Sequence, residues 1–196
     1  MNKIIVSGTL KNIKDSHTIG DIEYSKANII IPREDGKEDT IDIKFKKYTL
    51  KAKEGDQISF VGNLRTYSQK LEDRNKVSLY VYTYFDLPEE EFTEGFTNYV
   101  ELDGFICKKS NLRKTSQGKD VIDFIIANNL ETNNKMLNCY IPSVAWGKLA
   151  KEIDSKNIGD YITIKGRLQS REYKKYISEN DYEIRIAHEL SISEIN

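Results

Sequence analysis

The sequence predicts a mainly β protein composed of two similar small barrels. Apolar and polar residues alternate with period two in several short runs, of which 161–166 and 182–186 are the clearest, and this pattern is typical of half-buried strands. Hydrophobic residues make up 38% of the 196 residues and charged residues 31%. The chain can therefore form a core, but it has no run of the ~20 apolar residues that a membrane helix needs. It also repeats itself, which predicts two units with one fold.

Two pairs of glycines define the internal repeat. Gly8 and its flanking residues correspond to Gly104 and its flanking residues, at an offset of 96 residues. Gly62 and the segment before it correspond to Gly166 and the segment before it, at an offset of 104 residues. A net insertion of eight residues in the second unit accounts for the difference between the two offsets. We therefore interpret the chain as an internal duplication.

An acidic segment marks the predicted boundary between the two units. Residues 86–95 contain five acidic residues, no basic residue, and Pro88. We therefore predict a first domain over residues 1–87, an acidic linker over 88–97 and a second domain over 98–196. Outside the acidic segment the chain has 30 basic and 26 acidic residues, a balance that permits a nucleic-acid partner.

Each unit is predicted to contain five short strands. In the second unit a helix is predicted over residues 143–154, because Val144, Leu149 and Ile153 fall on one face. The matching segment of the first unit, residues 47–53, is shorter, so its helix is predicted to be one turn or absent. Five strands with a helix between the third and the fourth are the plan of the OB-fold, so we predict two tandem five-stranded OB-fold barrels. The predicted strands of the second unit cover residues 99–107, 121–128, 136–144, 161–168 and 182–192.

Catalysis and metal binding are not predicted. Cys107 and Cys139 have no Cys or His neighbour, so they fit neither a disulfide framework nor a metal site, and we predict two small buried side chains. His17 and His188 lie in different units without an acidic or nucleophilic motif, and we predict surface or sheet-edge positions for them. We therefore expect neither enzyme activity nor a cofactor. The N-terminal apolar run, residues 4–6, is too short for a signal peptide, so a cytoplasmic location is expected.

Four segments of the second unit resemble the DNA-binding domain of bacterial single-stranded DNA-binding proteins. The segments are 102–106 followed by 111–115 and Gly118, then 123–128, then 145–150, and finally Gly159 and Asp160 followed by 166–173. In that order they resemble the family's opening strand and basic hairpin, its second strand, the aromatic-Gly-Lys-Leu-Ala segment that opens the helix, and the strand that enters a DNA-contacting hairpin. The resemblance covers most of residues 100–192. The first unit is similar to the family mainly through the internal repeat.

This resemblance implies sequence-independent binding and protection of single-stranded DNA in replication, recombination or transfer. Proteins of this kind combine aromatic faces for base stacking with a basic track for phosphates. The aromatic positions that the resemblance implies are Trp146, Tyr140 and Tyr173. The phosphate partners that it implies are Lys108, Lys109, Arg113, Lys114, Arg167, Arg171 and Lys174. Ordinary structural roles are the alternatives, since a single tryptophan often anchors a core and many Lys and Arg side chains only solvate a surface.

The first unit contains side chains that suit a weaker or auxiliary DNA site. Tyr80, Tyr82 and Tyr84 alternate along one predicted strand and therefore share a face. An exposed tyrosine face fits bases and a protein interface equally well. The alternative function is therefore an OB-fold protein-interaction module in a replication or conjugation assembly, and RNA binding is a third interpretation. The basic candidates of this unit are Lys44, Lys46, Lys47, Lys51, Lys53 and Arg65.

The resemblance also implies an oligomer. Members of the family commonly present four barrels in one assembly, so chains with two barrels would pair as dimers, with replication or recombination proteins as further partners. The sequence printed here ends at residues 189–196, directly after the last predicted strand. It lacks the Gly/Pro/Gln-rich tail and acidic tip of the housekeeping members. We therefore expect an accessory, phage or mobile-element type of protein, or a domain whose tail has been removed.

Overall fold

A computed structural model of the chain describes residues 1–70, 75–84, 97–132, 135–176 and 181–196. Apart from Thr97, the predicted acidic linker lies outside these residues. No helix in the described ranges is long and apolar enough to cross a membrane.

The first barrel is a closed ring of five strands. Neighbouring strands pair in antiparallel fashion, except that the third and fifth strands pair in parallel and close the ring. A single 3-10 turn, Lys47–Thr49, follows the third strand, which confirms the prediction of one helical turn at most. The strands are β1 (Asn2–Ile19), β2 (Ile22–Pro32), β3 (Glu38–Lys46), β4 (Gln57–Lys70) and β5 (Asn75–Tyr84).

The second barrel repeats this plan and adds a helix. Five long strands form the ring, and the third and fifth of them again pair in parallel and close it. The predicted fold class is therefore confirmed. A short additional strand pairs with the second long strand. The elements are β6 (Asn98–Lys109), β7 (Arg113–Lys114), β8 (Asp120–Thr132), β9 (Lys135–Trp146), α1 (Lys148–Ser155), β10 (Tyr161–Tyr176) and β11 (Tyr182–Ile195).

The helix begins later than the sequence predicts. Residues 143–146 continue β9, because Val144 and Ala145 are buried and pair with β8. Gly147 then adopts a φ of 58°, which turns the chain, and α1 buries Ala150 and Ile153. Strands β10 and β11 are also longer than predicted, and they pair with each other as far as Tyr176 with Tyr182.

Alternate strand residues form the core, as the period-two pattern predicts. Phe45 and Phe60 are buried in the first barrel, and Leu102, Ile122 and Ile126 in the second. The buried residues of both barrels belong to one continuous cluster. The two barrels therefore pack together as well as within themselves.

Close strand crossings explain the repeated glycines. A Cβ atom on Gly8 would lie 2.6 Å from the carbonyl oxygen of Ile30, and one on Gly104 would clash with the carbonyl oxygen of Ala127. Likewise, a Cβ atom on Gly62 would lie 2.5 Å from the carbonyl oxygen of Tyr82. Its counterpart in the second barrel would clash with the carbonyl oxygen of Ser191. Glycine is required because the backbone approaches each position more closely than a side chain allows.

Strands β1 and β6 join the barrels about a local twofold axis. The antiparallel pairs run from Asn2 with Leu102 to Val6 with Asn98, and the offset of 96 residues exchanges these two pairs. The side chain of Asn2 donates from Nδ2 to the carbonyl of Leu64 and accepts from its N–H. Asn98 makes the same two bonds with Leu168. The sequence repeat is therefore also a symmetry of the structure.

Candidate nucleic-acid interface

The twofold relation gives each surface position of one barrel an equivalent in the other. The carbonyl of Ile30 in β2 faces Gly8, and the carbonyl of Ala127 in β8 faces Gly104. Lys26 and Asp123 each lie four residues before these carbonyls and are therefore equivalent. Strand pairing places Lys44 opposite Lys26 and Val144 opposite Asp123. Positions 26 and 44 of the first barrel therefore correspond to 123 and 144 of the second.

The fourth and fifth strands of each barrel extend this correspondence. Tyr67 in β4 lies five residues after Gly62, and Arg171 in β10 lies five residues after Gly166, so these two positions are equivalent. The carbonyls of Tyr82 and Ser191 face these two glycines. Tyr80 in β5 and Glu189 in β11 each lie two residues before them and are therefore equivalent. We call Lys26, Lys44, Tyr67 and Tyr80 the first-barrel quartet. Its equivalents Asp123, Val144, Arg171 and Glu189 are the second-barrel quartet.

The first-barrel quartet lines one groove of about 470 Å³. Lys44 Nζ lies 4.2 Å from the ring centroid of Tyr80 and 5.7 Å from that of Tyr67. Tyr67 is 56% exposed, so part of its ring is open to solvent, whereas burial raises the pKa of Tyr80. Lys14 and Lys26 complete the basic wall of the groove. The groove therefore combines aromatic rings with several ammonium groups.

The groove has a net positive charge because, in the part of the chain that the structure describes, three lysines and only one acid, Asp42, line it. Asn28 Nδ2 donates to Asp42 at 2.7 Å, and Asn12 donates in turn to Asn28 at 3.0 Å. Burial, and then repulsion by Lys26, lower the pKa of Lys44, and the nearby Asp42 only partly offsets this effect. Among the residues that the structure describes, no carboxylate lies within 4.0 Å of the ammonium groups of Lys14, Lys26 or Lys44. An anion would therefore relieve the repulsion between these lysines.

The three aromatic residues predicted to stack bases do not form one surface. Trp146 is half-buried at the end of β9 and lines a cleft of about 960 Å³ between the barrels, together with Arg171. Tyr140 is 49% exposed on β9, and its backbone N–H donates to Thr66 of the first barrel. Tyr173 lies on the β10–β11 hairpin, exposed and opposite Arg185. Trp146 and Arg171 thus share a cleft, whereas Tyr140 and Tyr173 do not line it.

Most of the predicted phosphate partners of the second barrel already have protein partners. Lys109 donates to the carbonyl oxygens of Asp154 and Lys156 at the end of α1. Arg113 pairs with Asp123 at 2.7 Å, and Lys114 pairs with Asp120 at 3.1 Å. Arg171 lies 3.8 Å from Glu189, and Lys174 Nζ lies 4.2 Å from the Tyr182 ring centroid. Lys108 is exposed, and Arg167 bonds to Asp39.

Arg167 holds the two barrels together, which the sequence analysis did not anticipate. Its Nη1 donates at 2.7 Å to Asp39, which is 1% exposed in the first barrel. Asp39 also accepts from the backbone N–H of Ser170 at 2.8 Å. A guanidinium in this position is directed at a carboxylate of its own chain. Arg167 is therefore better explained as part of the barrel contact than as a phosphate ligand.

The tyrosine face predicted on β5 is not open along its length. Tyr82 is only 9% exposed, with Arg65 Cζ 3.9 Å from its ring centroid and the Tyr84 ring at 5.1 Å. Burial, with smaller effects from Tyr24 and other neighbours, raises the pKa of Tyr82 to about 12. The prediction of an exposed tyrosine face is therefore wrong at its central residue.

Of the remaining basic candidates of the first barrel, some contact other side chains and others are exposed but lie outside the groove. Lys47 pairs with Asp15 and Glu23 at 3.0 and 3.3 Å, and Lys46 Nζ lies 5.8 Å from the Tyr48 ring centroid. Lys51 and Lys53 are exposed before β4 and do not line the groove. Lys14 and Lys26, which do line it, were missed. Period two in β2 and β3 places lysines on the outer face, but which lysines meet depends on the register between strands.

The cysteines and histidines differ in part from the predictions. Cys139 is buried, but Cys107 is only partly buried, and burial raises the pKa of both thiols. His17 is exposed and stacks on Tyr24, whereas His188 is largely buried, with Nε2 2.7 Å from the carbonyl oxygen of Thr40 in the other barrel. Within the described ranges, no cluster of three or more His, Cys, Asp or Glu side chains could hold a metal ion.

Known proteins show similarity at the level of both sequence and fold. Residues 97–193 match the model of the Single-strand binding protein family. The wild-type single-stranded DNA binding protein from Thermus aquaticus superposes with a TM-score of 0.73 at 19% identity, over 100% of this chain and 92% of that chain. A deletion mutant of the Thermus aquaticus protein gives a TM-score of 0.72 at 20% identity, over 100% and 93% of the two chains. At this identity the structural likeness supports the fold of both barrels. Comparison with curated proteins gives no significant sequence match.

Proposed function

Because the chain belongs to the single-strand binding protein family through residues 97–193, we propose that it binds and protects single-stranded DNA without reading its sequence. The observation that carries the proposal is the groove of the first-barrel quartet, in which ammonium groups and tyrosine rings lie on the outer face of an OB-fold barrel. Every base has a π-face, so stacking on tyrosine tolerates any sequence, and lysines neutralise any phosphate. Replication, recombination and DNA transfer all expose single strands that need such a protein.

Non-catalytic binding fits the chemistry of the described residues. Asp42 is the one acid among the described residues that line the groove, and it accepts a hydrogen bond from the neutral side chain of Asn28. The cations in the groove are lysines, which bind phosphate as point charges. We therefore propose a binding protein that changes neither the strand nor its bases.

A titration with labelled oligo-dT at increasing salt tests this proposal. We expect tight binding at low salt that weakens with salt, because lysines displace counterions from the phosphates. If Lys14, Lys26 and Lys44 each neutralise one phosphate, they contribute about −2 to the slope of log K against log[salt], at ~−0.7 per phosphate. Oligo-dC should bind with comparable affinity, and duplex DNA of the same length more weakly.

The outcomes separate this function from its rivals. Tighter binding of oligo-U than of oligo-dT would replace the DNA assignment by RNA binding. The absence of binding at low salt would reject both and favour a protein-interaction module. A preference for duplex would also contradict the proposal, because the groove offers stacking surfaces that paired bases cannot use.

We also propose that two chains associate, so that four barrels contact one strand. Light scattering coupled to gel filtration should then give about twice the 22.7 kDa of the single chain. The mass of a single chain across the working concentration range would contradict the dimer and leave the binding proposal standing.

A further inference from the structure

We propose that the first barrel, rather than the barrel that matches the family model, holds the main segment of bound single strand, and that this segment lies in the groove of Lys26, Lys44, Tyr67 and Tyr80. This inference rests on the proposed function, since it concerns where the strand binds. The sequence resemblance favours the opposite assignment, because it lies almost wholly in residues 97–193.

The equivalent surface of the second barrel has lost the groove's chemistry. Lys26 and Lys44 correspond to Asp123 and Val144, so two cations are replaced by an anion and a buried apolar side chain. Tyr67 and Tyr80 correspond to Arg171 and Glu189, so the second-barrel quartet contains no aromatic ring. The strands pair in the same way at these positions, but Val144 is buried, so the second barrel also lacks an accessible side chain at the position of Lys44.

Neutralisation within the protein strengthens the contrast. Asp123 pairs with Arg113 at 2.7 Å, and Glu189 lies 3.8 Å from Arg171. A phosphate approaching these cations competes with a carboxylate that is already in place. In the first-barrel groove the lysines instead lie next to one another, and the charge of Lys26 disfavours that of Lys44. A phosphate there gains attraction and relieves repulsion.

The groove also has the size and shape for a nucleotide segment. Its volume of about 470 Å³ falls within the range of roughly 300–1,000 Å³ that is usual for sites of small organic groups. The exposed ring of Tyr67 offers a stacking face at the rim, and Lys44 lies between this ring and that of Tyr80. A base on Tyr67 would therefore bring its phosphate towards Lys26 and Lys44.

Matched variants in the two barrels test the assignment. We compare Tyr67→Ala with Arg171→Ala, which occupies the equivalent position, and the double variant Lys26→Ala/Lys44→Ala with Lys51→Ala/Lys53→Ala, which removes two exposed lysines outside the groove. The readout is the affinity for labelled oligo-dT of about 8 nucleotides, which fits the ~4–16-nucleotide site of one OB-fold. Circular dichroism and gel filtration check that each variant folds as the wild type does.

We expect the variants of the groove to dominate. Tyr67→Ala should weaken binding by roughly 5- to 150-fold, the effect of one lost base stack. Lys26→Ala/Lys44→Ala should reduce the steepness of the salt slope by about 1.4, at ~0.7 per lost phosphate contact. Arg171→Ala and the control pair of lysines should change the affinity by about fivefold or less, as expected for exposed charges worth ~1 kcal/mol or less.

Trp146 provides a second and independent readout. It is the one tryptophan of the sequence and lies in the second barrel, so its fluorescence reports occupancy there. Short oligo-dT should bind with little change in this fluorescence, and quenching should begin only with longer strands that reach across the cleft.

Two results would overturn the inference while the proposed function stands. One is a larger loss of affinity in Arg171→Ala than in Tyr67→Ala, and the other is full quenching of Trp146 by the short strand. Equal losses in both barrels would also reject a main site in the first. If the wild type itself binds no oligo-dT, the proposed function fails, and this is seen before any variant is made.

Discussion

The two barrels share a backbone plan but differ at the surface. Gly8 and Gly104 occupy equivalent close crossings, and Asn2 and Asn98 make identical pairs of hydrogen bonds. In contrast, no member of the first-barrel quartet is retained in the second. Packing constrains both copies of a duplicated fold equally, because the same backbone contacts must form, whereas exposed positions can diverge without cost to folding.

This difference affects how the family resemblance should be interpreted. Many residues in the segments that resemble the family are structural, since Leu102, Phe124, Ile126 and Ala150 are buried and Gly104 lies at a close crossing. Such residues identify the fold of the second barrel. They do not identify which barrel presents free cations and aromatic rings, since those positions lie on the exposed faces of the strands.

The first way to test the comparison is to disturb the shared plan. Gly8→Ala and Gly104→Ala each place a Cβ against a backbone carbonyl of the crossing strand. We expect each to lower the free energy of unfolding by about 3 kcal/mol or more, at the upper end of overpacking effects, because backbone cannot move aside as a side chain can. Guanidinium unfolding followed by circular dichroism measures the loss.

Gly36→Ala is the control for that pair. Gly36 has a positive φ of 77° but open space around its Cβ position, so only the backbone penalty of about 1–2 kcal/mol applies. The losses in the free energy of unfolding are then compared. If the losses in Gly8→Ala and Gly104→Ala differed from each other by more than either differs from the loss in Gly36→Ala, the two barrels would not be equivalent in their packing.

A smaller effect is expected where the barrel contact itself is asymmetric. Asp39 of the first barrel accepts bonds from Arg167 and Ser170 of the second, whereas the matching position across the axis is Cys139, a weak acceptor. Asp39→Asn should lower the free energy of unfolding by about 2 kcal/mol, less than the ~3–5 kcal/mol of a fully buried pair, because Arg167 is 40% exposed.

The matched variant is Cys139→Ala, which should lower the free energy of unfolding by about 1 kcal/mol or less, as for a small core truncation. Urea unfolding of both variants gives the two values. Equal losses would mean that the carboxylate adds nothing to the contact and that the barrels are held by apolar packing and the β1–β6 pairing alone.

How far the sequence predicts this molecule depends on the distance over which each feature is determined. Strand alternation is a local pattern and the glycine repeat can be read directly from the sequence, so together they predict both barrels. The predicted start of α1 was wrong because the apolar residues Val144 and Ala145 fit a helix face as well as a buried strand. In the structure they belong to β9 and pair with β8. The role of Arg167 was missed because its partner, Asp39, lies 128 residues away in the sequence.

The smallest predicted effect comes from titration of Lys44, a position occupied in the second barrel by Val144, which cannot titrate. Because burial and Lys26 lower the pKa of Lys44, this ammonium loses its proton at a lower pH than ordinary lysines do. Between its lowered pKa and 10.5 the unfolded chain binds more protons than the folded one, so the contribution of Lys44 to folding stability rises with pH. DNA affinity changes in the opposite direction, since a phosphate is attracted by the charged form of Lys44.

We therefore expect the affinity for oligo-dA to fall by up to about fivefold between the lowered pKa and 10.5, as for one exposed ionic contact of ~1 kcal/mol or less. Fluorescence polarisation at rising pH should show this decrease in the wild type and not in Lys44→Met, and an identical pH profile in both proteins would mean that Lys44 does not contact the strand.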